Sequence, residues 1–112
     1  MIVRHLMKFL DKFRVRITVL KESDALALKY YGKDYLVEWN DVIEPKLISS
    51  DEHGLPVMHF VEFSFGENIL SFGDQHKGFY DLVEWLREKS GTTNDKISSI
   101  LSSRQACLYF KN

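Results

Sequence analysis

The side chains in this chain with the most chemical potential are four histidines, one cysteine and a scatter of carboxylates. His53, His59, His76 and Cys107 have none of the paired, short spacings that zinc requires, so no metal site is expected. A hydrolytic acid and base could be drawn from Glu38, Asp41, Glu44 and Glu62 together with a histidine. Scattered carboxylates on strands more commonly keep a sheet soluble. His59 stands among Val57, Val61 and Phe63 and reads as a hydrogen-bonded core or boundary residue, whereas His53, in Asp51-Glu52-His53, reads as solvated. Cys107 has no basic neighbour closer than Arg104, which favours an inert thiol over a nucleophile. The chain has neither a phosphate-cradling glycine loop nor a nucleophile elbow. The expectation is therefore a protein that is not an enzyme, with no catalytic residue, no cofactor and no metal.

Composition sets the wider limits. The 112 residues fit a single domain, 1–112, with 15 basic against 16 acidic residues and a formal net charge of -1. That balance gives no electrostatic case for nucleic acid. Charge is locally uneven, because Arg4, Lys8, Lys12, Arg14 and Arg16 face a single acid, Asp11, in the first sixteen positions. A single cysteine excludes an internal disulfide and fits a reducing compartment. No apolar run reaches the length of about 18 residues that a bilayer-spanning helix needs, and no secretion signal is evident, so a cytoplasmic location is expected.

The elements that must position any contact surface follow from periodicity. In Gln75–Gly91, Phe79, Leu82, Val83 and Leu86 fall at i, i+3, i+4 and i+7, with Asp81, Glu84, Arg87 and Glu88 on the other side. Burial of that stripe contributes about 6–12 kcal/mol as an upper bound, since the unfolded chain already hides some apolar area. Asp74 is the expected N-cap and Gly91 the left-handed stop. Trp85 lies at the edge of the stripe, either as a boundary packing residue or as a partner contact.

Upstream, residues 1–12 have the spacing of a basic amphipathic helix, the alternatives being packing on the domain, a membrane interface, disorder or a subunit contact. Met7 is an alternative start to Met1. Period-two alternation begins at Phe13, and residues 25–39 read as a hairpin turning at Gly32. Asn40-Asp41 could break the strand, and Pro45 requires an edge position or an irregularity. Ser49–Pro56 is the longest loop signal, and it is followed by strands at Val57–Phe65 and Ile69–Phe72. Beyond Gly91, residues 92–101 carry a short serine-diluted helix, and Leu108, Tyr109 and Phe110 form an apolar cluster that should dock, for instance as a strand. The fold class is thus α+β: an antiparallel sheet of about six or seven strands and a principal helix, with short extra helices at both ends.

The run Tyr35-Leu36-Val37-Glu38-Trp39-Asn40-Asp41-Val42, the strand pair Val57–Phe72 and the helix Phe79–Leu86 together resemble the bacterial pleckstrin-homology-like (PH-like) domain group. The resemblance covers about residues 13–90, leaving 91–112 as a C-terminal extension. It implies a curved antiparallel sheet or partly open barrel capped by a C-terminal amphipathic helix. The family barrel has seven strands against about six before the helix here, so one is either split near Pro45 or supplied by residues 108–110. Phosphoinositide-binding members place basic residues around the first hairpin loop, where this chain has Lys21, Glu22, Ser23 and Asp24. Two carboxylates against one ammonium disfavour an inositide at that loop.

The resulting expectation is a non-catalytic protein-binding or self-associating module of PH-like type. The candidate partner contacts are Arg4, Lys8, Asp51, Glu52, His53 and Trp85, together with an exposed sheet edge. The alternatives are a small intracellular inhibitor, such as the immunity protein of a bacterial toxin, or a peripheral membrane-binding domain acting through the basic N-terminal helix.

Overall fold

The computed structural model describes residues 14–52 and 56–112. The expected N-terminal helix, with Arg4 and Lys8, and His53 lie outside the described residues. Seven strands are formed among the described residues: β1 Val15–Leu20, β2 Ala25–Tyr30, β3 Lys33–Val37, β4 Val42–Ser50, β5 Met58–Phe65, β6 Asn68–Gly73 and β7 Ala106–Tyr109. Two α-helices are likewise formed among the described residues, α1, Phe79–Ser90, and α2, Asn94–Leu101. The strands form two antiparallel sheets, one in the order β1-β2-β3 and the other in the order β6-β5-β4-β7.

Alternation places the core. Val15 and Ile17 of β1, Leu26 and Leu28 of β2, and Val37 of β3 are buried on one sheet, and Leu47, Val61, Phe63, Leu70 and Phe72 on the other. The apolar stripe of α1 joins the same core, with Phe79, Leu82, Val83 and Leu86 each no more than 4% exposed. Edge-to-face rings join the two sheets at Tyr30–Phe72 (5.4 Å) and Tyr35–Phe65 (5.8 Å).

Several local expectations are corrected. Asp74 does not cap α1. Its carboxylate instead accepts the backbone N–H of His59 at 3.3 Å on β5, and the N-cap is Gly78 at φ 89°. The strand entering Trp39 stops at Val37, and Trp39–Asp41 forms a turn of 3-10 helix closed by a capping box between Glu38 and Asp41. Ser49 and Ser50 belong to β4 rather than to the following loop. Pro45 sits in an interior strand of its sheet. The register shifts between Ile43 and Lys46, and Glu44 takes a φ of 51°. The missing proline donor is thus accommodated by a bulge.

The segment after Gly91 is not an appendage. β7 pairs with β4 from Lys46↔Tyr109 to Ser49↔Ala106, and Phe110, 2% exposed, completes the core. Thr93 caps α2 by accepting the Lys96 N–H at 3.3 Å. The seventh strand therefore comes from the C-terminal residues, and α1 is not the last element of the chain.

Candidate functional site

One serine–histidine–aspartate grouping is assembled, and its geometry is structural. The Ser49 hydroxyl, 2% exposed, donates its only proton to the Ile100 carbonyl at 2.7 Å. It can then only accept from His59 Nδ1, at 2.8 Å, so the histidine is no base toward it. Asp74 bonds the His59 backbone rather than its ring. The set ties β4, β5 and α2 together. A second histidine, His76, is buried and accepts the Gly73 N–H at Nδ1, 3.0 Å away, and so shapes the turn that leads toward α1. Among the described residues, no three histidine, cysteine or acidic side chains converge as metal ligands.

A concavity of about 750 Å³ lies between β1 and α1. Its two walls follow from local chemistry. Ile17 donates its backbone N–H to the Lys77 carbonyl at 3.1 Å, and Arg16 and Lys77 form a parallel bridge. At that point the chain is laid against the edge of β1. It then leaves through Gly78, where an added Cβ would fall 2.1 Å from the Ile17 carbonyl oxygen, and enters α1. Only glycine permits both the positive φ and so close an approach. Beyond this junction β1 and α1 diverge, and the groove opens between them.

In α1, Asp81, Glu84, Trp85 and Glu88 stand at i, i+3, i+4 and i+7 and line one wall. Arg87 bonds Glu84 twice, at 2.9 and 2.7 Å, and this pairing holds the Glu84 carboxyl below the ordinary carboxylate range. Asp81, by contrast, has no ion pair among the described residues. The far end is closed by the first hairpin loop. Asp24 there accepts the Trp85 indole N–H at 3.2 Å and pairs with Lys89. Asp24 has a φ of 54°, a left-handed conformation that aspartate tolerates better than most residues. Four carboxylates, Asp24 among them, line the groove against Lys21 and Lys77.

The sequence-derived contact residues are not gathered in one place. Trp85 is 3% exposed, and its ring meets Trp39 edge-on at 5.9 Å. Asp51 lies at the end of β4, where its carboxylate accepts from Gln105 Nε2 at 2.6 Å. Glu52 is exposed beside it, its N–H bonded to Ser50 Oγ. No hydrogen bond or ion pair connects Asp51 or Glu52 to Trp85. Sequence reasoning missed Val19, Asp24, Lys77 and Asp81 as lining residues. The acidic stripe 81, 84 and 88 beside Trp85 was the available signal, but without the position of β1 it reads as a solvated helix face.

No protein-family model, curated protein or solved structure matches the chain. The groove therefore has to be interpreted from its own chemistry.

Proposed function

We propose that this protein is a non-catalytic protein-binding module of PH-like type whose contact surface is the groove between β1 and α1. The observation that carries the reading is the pairing of a strand edge, left without a neighbouring strand beyond Lys77 among the described residues, with a facing acidic helix wall, a combination suited to a polypeptide. The Ser49–His59 pair, spent on internal hydrogen bonds, offers no competing hydrolytic centre.

The test is capture of partners from the source cells with the tagged full chain, light scattering on the eluate, and an amide footprint of the complex. A stoichiometric complex whose footprint covers β1 and α1 is expected. A monomer with no recovered partner, or a footprint elsewhere, would refute the reading. The acidic stripe of α1 also favours a more particular version, an inhibitor that masks a basic enzyme surface. In that case the captured partner is a basic hydrolase whose activity the complex suppresses.

A further inference from the structure

We infer that the open edge of β1 takes an extended, cationic segment of a partner protein as an added strand, seated against the carboxylates of α1. This rests on the groove being the protein contact and specifies what enters it. The backbone phase of β1 supplies the first argument. Because the Ile17 N–H turns away from β2 to Lys77, Ile17 opposite Leu28 is a non-hydrogen-bonded pair. Two residues on, Val19 opposite Leu26 repeats that phase, so its N–H and C=O both point into the groove. They need a partner strand or water.

The other strand edges differ. On β6, the Ser71 N–H is already taken by the Tyr30 hydroxyl at 3.3 Å. The edge strand β7 has only 4 residues, and β3 opens with exposed Lys33 and Asp34, charges that discourage pairing. β1 has neither proline nor a register shift along its pairing with β2. Its own chain begins a parallel pairing at Lys77 and abandons it at Gly78, which leaves the adjacent position unfilled by any strand among the described residues.

Charge selects the occupant. A strand beside Val19 would direct alternate side chains toward α1, where Asp81 is unpaired among the described residues and Glu88 is held only at 3.9 Å by Arg87. Lysine or arginine at those alternate positions meets attraction, and glutamate or aspartate meets repulsion.

The probe is the peptide acetyl-KVKVKV-amide, titrated into the isotope-labelled full chain at low salt. Two comparison peptides are the acidic acetyl-EVEVEV-amide and a KVKVKV peptide N-methylated at alternate residues, which removes backbone donors while keeping charge. We expect shifts at the residue 18–20 amides and the Trp85 indole, at least tenfold weaker binding for both comparison peptides, and a similar loss in D81K/E88K. Equal binding of the N-methylated peptide overturns strand addition, and equal binding of the acidic peptide overturns the charge selection. If none of the peptides binds while a captured partner still footprints on β1 and α1, the strand proposal fails and the docking reading survives. If that footprint lies elsewhere, both fail.

Discussion

Replacing Gly78 by alanine isolates the junction that sets β1 and α1 at the mouth of the groove. Two costs add. At φ 89° the new Cβ carries the left-handed penalty of about 1–2 kcal/mol. That Cβ would also stand 2.1 Å from the Ile17 carbonyl oxygen and 2.9 Å from its carbon, both backbone atoms that cannot swing aside. Relief requires β1 and the start of α1 to separate, at the expense of the 3.1 Å bond from Ile17 N–H to Lys77. Its loss adds about 1–2 kcal/mol. The total is about 2–4 kcal/mol. With an unfolding entropy of about 2.1 cal/mol/K per residue, this lowers Tm by about 8–17 °C. Gly91→Ala is the internal control, because Gly91 has a φ of 71° but nothing within 4 Å of an added Cβ. It should cost only the conformational share, about 1–2 kcal/mol. Urea unfolding and thermal circular dichroism of the two variants measure the difference directly. If they agree within about 0.5 kcal/mol, the close approach to Ile17 does not constrain the fold and the account of how the groove is held open is wrong.

Three further outcomes follow from other parts of the structure. Ser49→Ala strips the hydroxyl from between the Ile100 carbonyl and His59 Nδ1 and should cost about 1–3 kcal/mol in urea unfolding; a neutral result would show that water replaces it without penalty. Phe110→Ala should cost about 3–5 kcal/mol and weaken hydrogen-exchange protection in β4, whereas a loss below about 1 kcal/mol would mean that the C-terminal strand is dispensable. Because the bonds from Arg87 depress the Glu84 carboxyl, the pair's contribution is present above the ordinary carboxylate range and is lost as pH falls through and below it. The stability gap between wild type and Glu84→Gln should therefore narrow on acidification from pH 6 to 3, and a gap that stays constant would show the pairing to be inconsequential.

Much of the local architecture was legible because its causes are local. The four-residue stripe of α1, the Gly91 stop and the alternation of β1, β2 and β5 are written in side-chain period and backbone freedom, which neighbours in sequence decide. Pro45 likewise announced an irregularity, since a residue without an N–H cannot complete a ladder. The docking of residues 108–110 could be anticipated from the cost of leaving three large side chains in water.

What the sequence could not decide were the choices made by competition between distant groups. Asp74 was equally fitted to cap a helix or to bond a strand, and the arrival of β5 settled it in favour of His59. Trp85 at a stripe edge could face out or in, and Asp24, sixty-one positions away, draws its indole inward. Above all, the acidic row on α1 is indistinguishable in sequence from an ordinary solvated face. It becomes one wall of a groove only because Gly78 lets the chain pass against Ile17 and then turn away, leaving a strand edge that is unpaired among the described residues opposite three carboxylates. Periodicity therefore determined which residues share a face, while what that face looks across to depended on long-range backbone contacts that no local pattern records.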